Sequence, residues 1–260
     1  MAGNEKEVVQ FLFDNMNRIS LGHLGLVSSI GAPSSNDGYN NISSSKDLLL
    51  VSTEDSGKKA DIYINGNGVS LKQSGASFPF NRLQRANLVN VFNNIGFSNP
   101  EKKLERIDRE VDNFHHGKIA NRSRPWRNLF SEEDFYGLVK FLMTEGSPNL
   151  GHSTHPAHYI LEAPKTILSE NNIQVYSFQE YFEKYKENFF FSIRRQWIGQ
   201  SSDSEHRRAI GLAKKSENQK WVYKTIGGQP NISKKTGKRW RDDVDEKDRR
   251  TVYLIFVEKT

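Results

Sequence analysis

Asp61, Ser70 and Lys72 stand close together in a segment whose polar and apolar residues alternate, Ala60-Asp61-Ile62-Tyr63-Ile64-Asn65-Gly66-Asn67-Gly68-Val69-Ser70-Leu71-Lys72. A carboxylate, a hydroxyl and an ammonium brought to one place can act on a phosphodiester. The alternation on both sides of Asn65-Gly66-Asn67-Gly68 is the pattern of a β-hairpin. With the turn centred on Gly66-Asn67, Asn65 pairs with Gly68, Tyr63 faces Ser70 and Asp61 faces Lys72. Opposed side chains then have Cβ atoms about 4.5–5.5 Å apart. This arrangement predicts a polar stripe on a wet sheet face, with Ile62, Ile64, Val69 and Leu71 turned to a core.

Two readings fit the stripe. In one, Asp61 and Lys72 form a cross-strand ion pair, worth about 0–1 kcal/mol when exposed. In the other, the stripe is a phosphodiester site. Asp61 there holds Mg²⁺, an ion that keeps several waters and takes one or two protein carboxylates plus phosphate oxygens. Lys72 orients or activates the attacking water and offsets charge on the phosphorane. Ser70 touches a metal-bound water, so Asp61 and Ser70 are the expected metal site. The next segment, Gln73-Ser74-Gly75-Ala76-Ser77-Phe78-Pro79-Phe80-Asn81-Arg82-Leu83-Gln84-Arg85, favours the second reading. It is rich in amides, hydroxyls and guanidiniums, which bind phosphates and base edges.

The elements that must carry these residues can be read from apolar spacing. Val8, Val9, Phe11, Leu12 and Met16 mark a first helix, with Glu5 and Glu7 in its opening turn, where negative charge suits the helix dipole. Residues 31–46 read as a surface loop, and Leu48-Leu49-Leu50-Val51 as a buried strand. A helix is expected over Asn81 to Phe92, and a charged one after Pro100 with Leu104, Ile107 and Val111 inward. Ser131-Glu132-Glu133-Asp134 and Ser177-Phe178-Gln179-Glu180 open two more. Tyr159 to Leu161, Phe189 to Ile193, Trp221 to Ile226 and Thr251 to Val257 are strand-like. The class is therefore α+β with an α/β-like core, a central mixed β-sheet flanked by helices. One domain is expected over 1–260, its catalytic core at roughly 1–165 and its recognition elements mainly at 166–260.

Composition limits the function classes. The 260 residues include 37 Lys+Arg against 31 Asp+Glu, a formal charge of +6 that favours a polyanionic partner. There is no cysteine, which excludes disulfides, zinc-thiolate sites and cysteine nucleophiles. The N-terminus has no signal-peptide pattern and no apolar run is long enough for a bilayer, so a soluble cytoplasmic protein is expected. Further basic clusters lie at Arg194-Arg195-Gln196-Trp197, at His206-Arg207-Arg208, on or beside strands, and at Lys234-Lys235-Thr236-Gly237-Lys238-Arg239-Trp240-Arg241. The last suits an arm that tracks phosphates, although the acidic stretch Asp242 to Glu246 behind it can pair with it. His152, His155 and His158 invite a zinc reading. Pro156 breaks helical spacing and no acid or thiolate lies near, so polar contacts, or a role at DNA or over the site, fit better.

The hairpin resembles the active-site core of the PD-(D/E)XK nuclease superfamily. Ala60-Asp61 stands at that pattern's Pro-Asp, and Ser70-Leu71-Lys72 at its Asp/Glu-x-Lys, with serine in the place of the middle acid. Some type II restriction endonucleases carry an amide or serine there, among them MspI-type and GCGC-cutting enzymes. Leu71-Lys72-Gln73-Ser74, Phe80-Asn81-Arg82-Leu83, Asn4-Glu5-Lys6-Glu7 and the stretch from Leu129 to Lys165 are similar to that group as well. The resemblance implies Mg²⁺-dependent cleavage of double-stranded DNA at a short site, by a monomer or homodimer with a companion DNA methyltransferase. Asp61, Ser70 and Lys72 would be catalytic, and Glu5 could add a second carboxylate. Gln73, Ser74, Asn81, Arg82, Arg85, Arg194, Arg195, Lys234, Lys235, Lys238 and Arg239 would contact DNA. The alternatives are a catalytically weak or inactive DNA-binding protein of the same fold, and a nuclease acting on RNA or repair structures.

Overall fold

The computed structural model describes residues 5–50, 57–79, 82–226 and 229–260. Asn81 and Val51 fall outside them. In chain order the elements are α1 (Glu5–Asp14), β1 (Ile30–Pro33), β2 (Tyr39–Asn41), β3 (Ile62–Ile64), β4 (Asn67–Gln73), α2 (Arg85–Asn94), α3 (Pro100–His115), β5 (Ser123–Pro125), α4 (Glu132–Lys140), β6 (Tyr159–Ala163), β7 (Gln174–Tyr176), α5 (Phe178–Tyr185), β8 (Phe189–Trp197), α6 (Asp203–Ala213), β9 (Val222–Lys224) and β10 (Arg250–Lys259). They form two compact units, one of Met1–Phe78, Tyr136–Asn188 and Lys259–Thr260, the other of Pro79–Phe135 and Phe189–Glu258. The units interleave along the chain.

The first unit is a six-stranded mixed sheet in the order β7-β6-β4-β3-β1-β2, with β6 parallel to β4 and the other pairs antiparallel. Alternation decides its faces, since neighbouring residues of a strand point to opposite sides. Ile62, Ile64, Val69, Leu71, Leu161 and Ala163 turn to one core with Val8, Val9 and Leu12 of α1. The helix α5 packs against β6 and β7. Its start is fixed by a reciprocal cap, with Glu180 N–H donating to Ser177 Oγ and Ser177 N–H to Glu180 Oε2. The expected central mixed sheet with flanking helices is therefore present.

The second unit holds a sheet in the order β9-β10-β8-β5, with α6 packed on β8 and α2 on α3. Asp108 ties its helices together. Its carboxylate accepts a two-bond fork from Arg85 at 2.8 and 2.9 Å and the Trp221 indole N–H at 2.8 Å. The apolar stripe of α3 is buried as its spacing predicts, at Leu104, Ile107 and Val111.

Several local expectations are corrected. Residues 31–46 are not all loop, because Gly31 to Pro33 pairs with Tyr39 to Asn41 through backbone groups that need no apolar pattern. Leu48 to Leu50 lies in a 3₁₀ turn, not a strand, where Asp47 Oδ2 accepts the Ser43 and Ser44 N–H groups. His206, Arg207 and Arg208 lie in the helix α6 rather than on or beside strands. Helix α2 begins at Arg85, four residues after Asn81, because Leu83 exchanges backbone hydrogen bonds with Ile255.

His115 closes α3 against the sheet of its unit. It is buried, stacks on Tyr223 with centroids 4.2 Å apart, and meets the Tyr253 hydroxyl at 3.0 Å. Burial, with help from the His116 and Arg195 charges, pushes its pKa below the usual 6.5. The unfolded chain therefore takes up this proton first as pH falls, so the stabilisation is complete above about pH 6.5 and is lost toward lower pH. Urea unfolding between pH 7.5 and 5 is expected to show a loss of at most about 1.4 kcal/mol per pH unit from this one proton. His115→Gln is expected to flatten that slope, and an unchanged slope would contradict the assignment.

Candidate active site

The turn of the hairpin is Asn65-Gly66, one residue earlier than the expected Gly66-Asn67. Ile64 pairs with Asn67, Tyr63 with Gly68 and Ile62 with Val69. Both turn residues have positive φ, 49° for Asn65 and 79° for Gly66, the requirement of a type I′ turn and the reason for Asn-Gly there. The register thus moves by two residues, which leaves every side chain on its expected face. Asp61 now stands beside Ser70, and its N–H donates to Val69 O at 2.9 Å. Tyr63 leaves the site, being opposite Gly68, stacked on Tyr39 and bonded to His155.

Ser70 joins the acid to the amine. Its hydroxyl donates to Asp61 Oδ2 at 3.2 Å and accepts from Lys72 Nζ at 2.8 Å. The Leu71 N–H also donates to Asp61 Oδ2, at 2.6 Å, and Lys72 Nζ donates to Leu71 O at 3.0 Å. Ser70 is only 2% exposed, while Asp61 and Lys72 are half-buried. The face is therefore more enclosed than the wet stripe expected from alternation.

Two further charged groups belong to this neighbourhood and were not singled out in the sequence. Glu162 of β6 is paired in register with Lys72, so its side chain shares the face of Ser70 and Lys72. It is buried, and its two oxygens accept from Tyr181 and Tyr185 hydroxyls at 3.3 and 2.6 Å. Burial and this carboxylate push the Tyr181 phenol well up, so it remains a donor. The second group is Lys59, whose Nζ donates to Leu142 O at 2.9 Å. Burial, assisted by the Lys72 charge and opposed by Asp61, pushes Lys59 down to about 8. A lysine two residues before the acid gave no sequence signal of burial, and Glu162 is reached only through the β6–β4 pairing.

The histidine loop holds the strand that leads into Asp61. His155 O accepts the Lys59 and Ala60 N–H groups at 3.0 and 2.9 Å. The fully buried His155 ring meets the Tyr63 hydroxyl with Nδ1 and Asn36 O with Nε2. His158 Nδ1 accepts the Gly68 N–H at 3.0 Å. Gly68 admits this contact because a Cβ there would sit 2.3 Å from Pro156 O. His152 is exposed and meets the edge of Phe141. The three histidines are thus spent on separate contacts.

The donor set suits one kind of cation. Asp61 Oδ1 has no hydrogen-bond partner among the described residues. One such oxygen beside a hydroxyl fits an ion like Mg²⁺ that keeps waters and takes phosphate oxygens. Among the described residues no three His, Cys, Asp or Glu side chains converge to make a dedicated cage. Glu5 opens α1, whose apolar side covers the opposite face of the sheet.

The remaining residues expected to contact DNA fall in both units. Gln73 ends β4, and the exposed Ser74 donates its N–H to Ala163 O. Arg85 is engaged with Asp108 and Glu217 O. Arg82, Arg194 and Arg195 line one cavity of the second unit. In the 229–249 loop Lys238 pairs with Asp242 and Arg241 with Asp243 and Asp203, so the acidic stretch does neutralise part of the arm. Lys234, Lys235 and Arg239 are exposed.

No family model matches the chain, and no curated protein matches it. Among solved structures it is similar to restriction endonuclease MspI in complex with its cognate DNA, at 10% identity and a TM-score of 0.26. The match covers 77% of this chain and 65% of that one, less than two thirds of it. A likeness this slight carries no argument about function.

Asn65 fixes the register on which the site depends. Its Oδ1 accepts from the Ser28 N–H, Ser28 hydroxyl and Ser29 N–H, and its Nδ2 donates to Leu24 O and Leu26 O. Asn65→Ala is expected to lower the unfolding free energy by about 2–4 kcal/mol, from strain at positive φ and the lost bonds. Denaturant melts of the two proteins check this, and a loss under about 0.5 kcal/mol, the size of an ordinary surface change, would contradict it.

Proposed function

We propose that this protein is a Mg²⁺-dependent endonuclease that hydrolyses phosphodiester bonds of double-stranded DNA at a short specific site. The observation that supports it best is the Asp61–Ser70–Lys72 chain of hydrogen bonds. Asp61 would hold the ion through Oδ1, with Ser70 against a metal-bound water; when bound, Mg²⁺ supplies charge neutralisation for the phosphate and lowers the pKa of water. Lys72 is held by the same Ser70 hydroxyl that bonds the acid, and there it would orient the attacking water and stabilise negative charge on the phosphorane. The β-sheet holds the geometry, since Ser70 and Lys72 lie in β4 and Asp61, just before β3, is tied to β4 through its N–H bond to Val69 O. The basic composition supports a polyanionic substrate, and no described helix is long and apolar enough to cross a membrane.

A second reading has its own support. Serine replaces an acid of the resembled pattern at position 70, which suits a DNA-binding protein with little or no activity. Incubating mixed-sequence plasmid DNA with the protein and Mg²⁺ separates the two. Discrete fragments are expected, and binding without any cleavage would leave only the second reading.

Two outcomes follow from the roles. Asp61→Ala and Lys72→Ala are each expected to abolish cutting, by at least about 10²-fold as for loss of a charge-stabilising group, while gel-shift binding stays near wild type. Full activity in either would remove the site. DNA affinity is expected to fall steeply between 50 and 200 mM salt, by about 10³-fold or more for six or more phosphate contacts. A flat salt response would contradict a basic DNA-binding surface.

A further inference from the structure

The second unit carries a cavity that the hydrolysis does not use. Its volume is about 520 Å³, and five arginines line it, Arg82, Arg122, Arg194, Arg195 and Arg208. Its carboxylates are Glu205 and Glu258, which leaves an excess of three positive charges on the wall. Several of these guanidiniums are braced before any ligand arrives. Arg82 and Arg194 each lie 5.7 Å from the centre of the Phe256 ring, and Arg194 also pairs with Glu258. Arg195 lies 4.7 Å over Phe114 and reaches the Tyr253 hydroxyl at 3.4 Å. Among the described residues nothing hydrogen-bonds the guanidiniums of Arg82, Arg122 or Arg208.

Two glutamines on the same wall separate a base edge from a simple anion. Gln200 is 5% exposed, and its Oε1 is buried with no hydrogen-bond donor. Gln196 Oε1 is in the same state, while its Nε2 donates to Arg195 O at 3.1 Å. An open carbonyl oxygen demands a hydrogen-bond donor. A phosphodiester, a sulfate dianion and a carboxylate have none to give. A G·C pair in the major groove offers both halves: N7 and O6 acceptors on guanine and an N4–H donor on cytosine. Guanidinium forks match the first and a glutamine oxygen the second. An A·T pair also presents an amine, but forks outnumber amides on this wall, and the guanidinium fork pairs most often with guanine.

We infer that this cavity reads base edges in the major groove of duplex DNA and selects G·C pairs, with Arg194, Arg195 and Arg208 facing guanine and Gln196 and Gln200 accepting from cytosine N4. The inference rests on the proposed function in taking duplex DNA as the ligand. Both glutamine oxygens are covered in the free protein, so seating the base edge takes side-chain rotation, a common change at interfaces.

The test uses full-length Asp61→Asn protein, so that binding is read without cutting. Two long duplexes of one mixed sequence compete for it, one made with guanine and one with 7-deazaguanine, which removes N7 and keeps the phosphates and the pairing. The 7-deaza duplex is expected to compete about tenfold more weakly, within the 1–3 kcal/mol of a bidentate base contact. Arg195→Ala and Arg208→Ala, each added to that protein and shown to be folded by circular dichroism, are expected to erase most of the difference. Equal competition by the two duplexes, or discrimination that survives both substitutions, overturns the inference. Wild-type cleavage with Mg²⁺ is scored separately. Cutting without 7-deaza discrimination sinks only the G·C reading, and discrimination without cutting sinks only the hydrolysis.

Discussion

One hydroxyl organises the candidate site. Ser70 stands between a carboxylate and an ammonium, donating to one and accepting from the other. A serine can serve both because its oxygen is donor and acceptor at once. Removing it would leave the two charged groups without a shared partner in a nearly enclosed setting. Several contacts in the first unit fix where Ser70 stands. The Asn65-Gly66 turn sets the register, Gly68 lets the histidine loop approach, and His155 O holds the two amides that precede Asp61. The parallel strand β6 then brings Glu162 beside Lys72. These contacts are backbone-dominated, so they depend on chain conformation more than on the identity of distant side chains.

Much of this was legible in the sequence, for a physical reason. Period-two alternation survives a register shift of two, so the faces of Asp61, Ser70 and Lys72 were correct even though the turn was misplaced. The misplacement has a cause as well. Asn65-Gly66-Asn67-Gly68 contains two Asn-Gly pairs, and centring the loop between them discarded the stronger rule that Asn-Gly itself fills a two-residue turn. Amphipathic helices such as α3 were read closely because their burial follows from spacing alone. Glu162 and Lys59 were not legible. Each is charged, each is buried by contacts made far along the chain, and local sequence reports neither.

The basic clusters teach the opposite lesson. Charge runs showed where cations are, but not which are already matched. Arg85 is held by Asp108, Arg241 by two aspartates, and Lys238 by Asp242. Those pairs spend charge that composition counts as free. Arg82 and Arg195, braced on Phe256 and Phe114, are different, because an aromatic face orients a guanidinium without neutralising it. Arg194 combines the two, lying over Phe256 and pairing with Glu258.

The most direct test of the site is structural. A crystal structure of the protein with a duplex and Ca²⁺, an ion that takes oxygen ligands at about 2.3–2.6 Å, would show where the phosphate sits. A cation on Asp61 Oδ1 and a backbone phosphate between that cation and Lys72 Nζ are expected. DNA bound with its phosphates away from Asp61, or Asp61 and Lys72 closed on each other with no cation, would contradict this placement.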